Sequence, residues 1–244
     1  MKNRIHVITP IITEGFRTLD DFRACEGPEL EVTHSVIDHG PASIESQFDE
    51  ALSVPGTLER AIAAERDGAD ALVIDCMGDP GLAACREALS IPVLGPLQVS
   101  AHMAAMLGHR FTFITVLDRL RHLIDELVAG YGLTGSYAAF HAIDIPVLHI
   151  GQDMEKLSGA LGEKAIKAVR EDHAGAVILG CTGFIDLAEA LQETLRAEGL
   201  DVPVIDPIPL TIRVADSLLR CGLTHSKHIY PAPGKKEIRG YEVL

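Results

Sequence analysis

Two of the five cysteines of this chain stand in the same local pattern, in which an apolar run leads to a cysteine and a glycine follows two residues later. Around Cys76 the residues read Ala-Leu-Val-Ile-Asp-Cys-Met-Gly, and around Cys181 they read Ala-Val-Ile-Leu-Gly-Cys-Thr-Gly. A cysteine at the end of a buried strand, with free backbone N–H groups and a helix beyond it, is placed to hold a thiolate. We therefore expect the pKa of both thiols to fall below the ordinary value of about 8.5.

A pair of such thiols permits chemistry that a single thiol does not. If Cys76 and Cys181 face a substrate from opposite sides, one thiolate removes a proton from a carbon and the other thiol donates a proton to the opposite face. The carbon is then inverted without a cofactor, and the backbone amides after each cysteine would stabilise the intermediate enolate. These amides belong to Met77, Gly78 and Asp79 in the first motif and to Thr182, Gly183 and Phe184 in the second.

Both cysteines also have a structural interpretation, because free cysteine is among the residue types most often buried in protein cores. The matched pair favours catalysis over two unrelated core residues. Cys25, Cys85 and Cys221 lack the glycine turn, and Cys85 and Cys221 fall within predicted helices, so we expect them to be packing residues.

Several polar residues near the motifs have a binding and a structural interpretation. Asp79 could orient a proton donor or raise the pKa of the thiol, or it could cap the helix that follows. Thr182 could hold a substrate oxygen or bond to the local backbone. Thr115 and Arg119 follow a central apolar strand, where Arg119 could bind a planar oxygen acceptor or lie solvated on a helix surface.

Apolar, strand-like runs alternate with helical segments along the chain, which is typical of an α/β fold whose mostly parallel sheets are covered by helices. The predicted strands are Ile5–Thr9, Glu31–Ile37, Ala71–Ile74, Val93–Gly95, Phe111–Thr115, Tyr137–Ala142, Ala176–Leu179 and Val202–Ile205. The predicted helices are Thr13–Arg23, Ser43–Asp67, Gly81–Leu89, Leu97–Leu107, Leu117–Gly130, Met154–Asp172, Phe184–Glu198 and Pro209–Cys221.

A weak internal repeat relates the two halves, since the unit of residues 58–95 recurs at 163–206. The repeat predicts two pseudo-equivalent lobes, with ligands binding at the carboxyl ends of the strands in the cleft between them. We place the first lobe at residues 1–96, completed by about 208–244, and the second lobe at residues 97–207.

The overall composition limits the class of protein. The chain has 244 residues and a mean hydropathy of +0.20, which indicates a globular α/β protein. A net charge of −14 argues against nucleic acid or a membrane surface as a partner, and no apolar run reaches membrane-span length. No zinc-like Cys/His spacing and no glycine-rich nucleotide motif is present, so we expect no metal and no cofactor. Cytoplasmic residence, reduced thiols and a small-molecule substrate are the corresponding expectations, and the apolar-rich composition would allow a homo-oligomer.

The two motifs together resemble those of the hydantoin racemase branch of the aspartate/glutamate racemase superfamily. The similarity rests on Asp-Cys-Met-Gly-Asp-Pro-Gly-Leu at 75–82 and Leu-Gly-Cys-Thr-Gly-Phe at 179–184, and it extends over nearly the whole chain. The central segment Phe-Thr-Phe-Ile-Thr-Val-Leu-Asp-Arg at 111–119 also looks like the family's central strand and turn. The resemblance implies a cofactor-independent, two-base proton transfer, and it assigns the two catalytic positions to Cys76 and Cys181.

The resemblance is incomplete at the amino end. The family usually shows Asn-Pro-Asn-Thr after the first strand, whereas this chain has Thr-Pro-Ile-Ile-Thr, with Thr9 and Thr13 able to offer hydroxyl groups to a substrate. The predicted activity is racemisation of a 5-substituted hydantoin, allantoin or a related cyclic ureide. Racemisation of an amino acid, another isomerase or decarboxylase activity of the superfamily, and a non-catalytic two-lobed ligand-binding regulator remain as alternatives.

Overall fold

Strands and helices alternate along the chain in the computed structural model, which describes residues 2–240. The strands are β1 (Asn3–Thr9), β2 (Leu30–Val36), β3 (Ala71–Ile74), β4 (Val93–Leu94), β5 (Phe111–Thr115), β6 (Tyr137–Ala142), β7 (Ala176–Leu179) and β8 (Val204–Ile205). The α-helices are α1 (Gln47–Arg66), α2 (Leu82–Ala88), α3 (Pro96–Gly108), α4 (Arg121–Gly130), α5 (Met154–Arg170), α6 (Leu187–Ala197) and α7 (Pro207–Arg220). Short 3-10 helices lie at Leu19–Cys25, Asp118–Leu120, Thr134–Ser136 and Val147–Gln152.

The strands form two four-stranded sheets in which every pairing is parallel. The order is β2-β1-β3-β4 in the first sheet and β6-β5-β7-β8 in the second, so the strands that precede Cys76 and Cys181 hold the same position in their sheets. Strands β3, β5 and β7 are buried along their whole length, as continuous aliphatic runs require when helices cover both faces. The predicted two-lobed α/β fold is confirmed.

Two helices connect the sheets. Helix α3 packs against strands β5 and β7 and against helix α7. Helix α7 follows the last strand of the second sheet yet packs on β1 and β3, where Ile208 and Ile212 are buried with Ile5 and Val7. The chain therefore crosses back to the first sheet after the second is complete.

The helix predicted at Thr13–Arg23 is wrong. Gly15 has a left-handed φ of 77°, and the segment becomes helical only from Leu19, as a 3-10 turn. Thr18 is the N-cap of this 3-10 helix, and its N–H donates to the Asp21 carboxylate at 2.7 Å. Between these points the side chain of Arg17 turns into the protein interior, where it is 5% exposed.

Strands β3, β5, β6 and β7 have the predicted ends, and the other predicted elements occur with shifted ends. Strands β4 and β8 are two residues long, and α1 starts at Gln47 because the Ser46 hydroxyl caps it by accepting from the Asp49 N–H at 3.2 Å. Within residues 2–240, none of the helices combines the length and apolar character that a membrane span requires.

Candidate active site

Both motif cysteines line one cleft, at the carboxyl ends of the strands of the two sheets. The parallel register brings these strand ends together, as expected for ligand sites in α/β sheets. Five other residues predicted from the sequence line the same cleft, namely Thr9, Met77, Gly78, Thr115 and Thr182.

The turn after β3 presents the first thiol. The Asp75 N–H still continues the sheet by donating to the Ile8 carbonyl at 2.8 Å, and the Asp79 N–H closes the turn on the Cys76 carbonyl at 3.0 Å. Inside that turn the Gly78 N–H donates to the Cys76 Sγ at 3.5 Å. The sulfur is therefore held by a backbone amide from its own motif.

The turn after β7 repeats this arrangement. The Gly180 N–H donates to the Ile114 carbonyl at 2.7 Å, and the Phe184 N–H closes the turn on the Cys181 carbonyl at 3.1 Å. Gly183 follows Cys181 as Gly78 follows Cys76, and the Gly183 N–H opposes the rise in the pKa of the Cys181 thiol. The glycine two residues after each cysteine therefore holds an equivalent position beside the thiol.

Threonine hydroxyls donate hydrogen bonds to backbone carbonyls at both cysteine turns. The Thr115 Oγ1 donates to the Gly180 carbonyl at 2.6 Å, within the second lobe. The Thr182 Oγ1 donates to the Asp75 carbonyl at 3.3 Å and so joins the second turn to the first. The Thr182 hydroxyl thus bonds to a backbone carbonyl of the other lobe rather than to its local backbone, and this residue also lines the cleft.

The expectation of a lowered pKa at the thiols is wrong. Burial raises the pKa of the Cys181 thiol to about 12 and places that of Cys76 well above its ordinary value. The charge of Cys181 is among the smaller causes that raise the pKa of Cys76. Helices α2 and α6 each begin six residues beyond the cysteine, at Leu82 and Leu187, and the helix dipole acts only over the first turn.

A buried ion pair lies beneath the thiols, and Arg17 is the residue that sequence reasoning missed. The Arg17 Nε donates to the Asp75 Oδ2 at 3.0 Å, and the side chains are 4% and 0% exposed. The Thr9 hydroxyl donates to the same oxygen at 2.8 Å and also bonds to the His34 Nε2 at 2.9 Å. An aspartate that ends a buried strand needs a compensating charge, but nothing in the sequence indicates that Arg17 supplies it.

Asp79 is a helix cap rather than a cleft residue. Its carboxylate accepts from the N–H groups of Leu97 at 3.0 Å and Gln98 at 2.9 Å, so it caps α3 instead of the helix that follows it in sequence. Tyr131 adds a third hydrogen bond at 2.7 Å. Because a Cβ on Gly95 would stand 2.3 Å from this carboxyl carbon, only glycine fits there.

Three other predicted binding residues do not line the cleft. Arg119 is exposed on a 3-10 helix, and Phe184 is buried in the core of the second lobe. The Thr13 hydroxyl donates to the Ala42 carbonyl at 2.6 Å. Gly183 borders the cleft through its neighbour, since a Cβ there would lie 3.5 Å from the Cys181 Sγ.

The remaining cysteines lie outside the cleft. Cys25 and Cys85 are buried, as packing residues should be, whereas Cys221 is exposed at the end of α7. The packing role expected for Cys221 is therefore wrong.

An apolar wall completes the cleft, and the sequence did not indicate it. The first lobe contributes Ile11, Phe16 and Ile44, and the second contributes Val116, Leu120, Leu123, Ile124 and Val147. No lysine or arginine of the described chain is among the lining residues, because Arg17 is turned toward Asp75. In residues 2–240, no group of three or more His, Cys, Asp or Glu side chains is arranged to bind a metal ion.

Fold and site together define a two-lobed α/β protein with one partly buried thiol on each side of a shared cleft. The model of the Asp/Glu/Hydantoin racemase family matches residues 13–215, and the chain belongs to this family. It is 37% identical over 242 residues to a hydantoin racemase of Rhizobium meliloti, with 98% of each chain covered. It is also 39% identical over 202 residues to a hydantoin racemase of Pseudomonas sp. (strain NS671), covering 82% of this chain and 79% of the relative.

A solved structure of a racemase is also similar to this chain. The allantoin racemase from Klebsiella pneumoniae superimposes with a TM-score of 0.90 at 37% sequence identity, covering 99% of this chain and 98% of the other. The chain is therefore an enzyme of the racemase class, and the predictions of family, fold and enzyme class are confirmed.

Proposed function

We propose that this enzyme racemises 5-substituted hydantoins by cofactor-independent proton transfer between Cys76 and Cys181. The observation that carries the proposal is the pair of matching turns that bring both thiols to one cleft. Family membership supports racemisation as the reaction, while the catalytic roles of the two thiols are our inference.

The reaction needs one thiolate and one thiol. The thiolate takes the proton from C5 of the hydantoin, so that an S–H bond forms while the C5–H bond breaks and its electron pair moves into the adjacent carbonyl group. The other thiol then gives its proton to the opposite face of C5, and the electron pair returns to form the new C–H bond. The negative charge ends on the second sulfur, and the two cysteines exchange roles between enantiomers.

The burial of the thiols favours this chemistry. A thiolate that forms with a raised pKa is a stronger base than an exposed one, which helps it to remove a weakly acidic C–H proton. The amide N–H groups of Gly78 and Gly183 stabilise whichever sulfur carries the charge. The backbone amides of Met77 and Thr182, next to the sulfurs, are the groups that we assign to the enolate oxygen.

The apolar wall indicates the kind of substrate. Aliphatic side chains such as Ile44 and Leu123 suit an alkyl or aryl group on C5, while the polar ring atoms face the two turns. A free amino acid would bring a carboxylate into a cleft whose lining offers no lysine or arginine. We therefore propose a 5-alkyl or 5-aryl hydantoin as the substrate, in preference to an amino acid or to allantoin with its polar ureido group.

Chiral chromatography of each enantiomer of 5-benzylhydantoin, beside allantoin and glutamate, tests the proposal. We expect racemisation of 5-benzylhydantoin to be the fastest, and loss of that activity in Cys76→Ser and in Cys181→Ser. Cys221→Ser is the matched control, because Cys221 is exposed and outside the cleft, and it should keep the wild-type rate. Wild-type rates in both cleft variants, or racemisation of glutamate but not of the hydantoin, would refute the proposal.

The proposal also covers the cellular compartment and the oligomeric state of the enzyme. We place it in the cytoplasm, because the mechanism requires both thiols reduced and reducing conditions prevail there. We also propose that it works as a homo-oligomer, since large apolar side chains such as Phe48, which is 71% exposed, remain uncovered on a single chain. Light scattering during size-exclusion chromatography should give a molar mass greater than that of one chain. A monomer at micromolar concentration would contradict the proposed homo-oligomer.

A further inference from the structure

A second cavity, of about 500 Å³, lies outside the cleft. It opens between helices α3 and α7 and is bordered by the segment that follows α7. Its apolar wall includes Val99, Met103, Val214 and Leu218, and Met106 stands at its edge with 71% of its surface exposed. We call it the Arg86 cavity after the cationic side chain that lines it, and its volume suits a small organic molecule.

Arg86 is buried, and no carboxylate of residues 2–240 forms a direct ion pair with its guanidinium. The residue is 7% exposed, and its guanidinium donates to the Val93 carbonyl at 3.1 Å, to the Gln98 Oε1 at 2.7 Å and to the Tyr230 hydroxyl at 3.4 Å. All three acceptors are neutral. A guanidinium has five N–H donors, so these bonds leave donors that an incoming group can use. A buried charge that forms no direct ion pair is costly, and a bound anion in contact with the guanidinium would reduce this cost.

A second cation lies close to Arg86, since the Lys227 Nζ donates to the Arg86 carbonyl at 2.7 Å. His102 and His225 line the cavity, and burial lowers the pKa of His225, so that imidazole is neutral near pH 7. No acidic residue of the described chain is among the lining residues. Asp79, whose charge does interact with that of Arg86, directs its hydrogen bonds to the start of α3 and to a tyrosine. In a chain of net charge −14, this cavity is thus complementary to an anion.

We propose that the Arg86 cavity binds a small carboxylate that carries an apolar group. The carboxylate would accept from the remaining N–H donors of Arg86, and the apolar group would lie along Val99, Met103 and Leu218. This site is separate from the racemase cleft, and its occupancy does not depend on the proposed reaction.

Methyl NMR of methionine-labelled protein tests the proposal, because methionines mark both sites. Titration with 4-phenylbutyrate should shift the methyl signals of Met103 and Met106 and leave that of Met77, which lines the cleft, unchanged. The neutral analogue 4-phenylbutanamide should bind about tenfold or more weakly, the factor that a hydrogen bond to a charged group contributes. Equal binding of acid and amide, shifts at Met77 alone, or no shifts at millimolar ligand would overturn the proposal.

A near-isosteric variant gives the second test. Gln98→Glu places a carboxylate where the Gln98 Oε1 now accepts from Arg86, so the protein itself supplies the anion. We expect this variant to fold and to bind 4-phenylbutyrate about tenfold or more weakly. Unchanged binding would show that the charge of Arg86 is not the recognition element. Concentration-dependent shifts of the Met106 signal without ligand, abolished by Met106→Glu, would show that a second copy fills the cavity and would equally overturn the proposal.

Discussion

Replacing Arg17 by methionine tests the buried ion pair beneath the thiols. The substitution keeps a side chain of similar length but leaves the Asp75 carboxylate, which is 0% exposed, with the Thr9 hydroxyl as its remaining side-chain donor. The Asp75 Oδ1 already lacks a hydrogen-bond partner in the described structure. Breaking one side of a buried ion pair costs about 3–5 kcal/mol, because the remaining charge is uncompensated. For a chain of this size we expect Tm to fall by roughly 6–20 °C.

The assay is urea denaturation followed by far-UV circular dichroism, since the chain contains no tryptophan for fluorescence. Arg170→Met is the matched control, because Arg170 pairs with Glu198 at 2.8 Å on the surface, where both side chains are about half exposed. Such a pair contributes about 1 kcal/mol or less.

The double variant Arg17→Met/Asp75→Asn separates charge from shape. With both charges removed, stability should return to within about 1–2 kcal/mol of the wild type, because paired removal of a buried ion pair is far less costly than removal of one partner. If Arg17→Met costs no more than Arg170→Met, or if the double variant is as unstable as the single one, the ion pair does not have the role assigned to it.

Three further predictions concern the cleft and Glu50, whose Oε2 lies 3.1 Å from the position that a Cβ on the cleft residue Gly78 would take. The value of kcat/KM should rise with pH from 7 to 9 without a plateau, because the free enzyme must form a thiolate and burial raises the pKa of both thiols; a plateau at pH 7 would contradict this. Burial and the nearby Asp79 carboxylate raise the pKa of Glu50 to about 7, so its contribution to stability is fully present below pH ~4.3 and is lost as pH rises through about 7. In thermal melts, the Tm of Glu50→Gln should therefore rise relative to that of the wild type as pH increases from 5 to 8. A constant Tm difference would refute the assignment. Gly183→Ala should lower kcat/KM by about tenfold or more, because the new Cβ would stand 2.9 Å from the Phe16 ring in the cleft wall. Gly135→Ala, with open space around its Cβ position, is the control, and equal rates in the two variants would contradict the prediction.

The fold could be predicted from the sequence because its signals are local. Continuous aliphatic runs such as Ala71–Ile74 and Ala176–Leu179 have no exposed face, and they became the buried strands β3 and β7. The matching cysteine turns also placed the two thiols at equivalent strand ends. Helix ends were less accurate, since Gly15 and Thr18 interrupt a segment whose apolar spacing looked helical.

The chemistry of the site depended on contacts that the sequence does not contain. The pair Arg17–Asp75 joins residues 58 positions apart, and the apolar wall combines side chains from both lobes. The pKa of the thiols was predicted in the wrong direction, because depth of burial outweighs the nearby amide N–H groups and depth follows only from packing. Asp79 was correctly considered as a cap, but the helix it caps is α3, which lies farther along the chain.

Deuterium exchange by the single-cysteine variants tests the central claim most directly. Each enantiomer of 5-benzylhydantoin is incubated in D₂O with Cys76→Ser or Cys181→Ser, and loss of the C5 proton is followed by NMR beside an enzyme-free control. If each thiol acts on one face of C5, each variant should exchange one enantiomer without inverting it, and the two variants should prefer opposite enantiomers. Exchange of the same enantiomer by both variants, or exchange of both enantiomers at the wild-type rate by either one, would contradict a reaction between two opposed thiols.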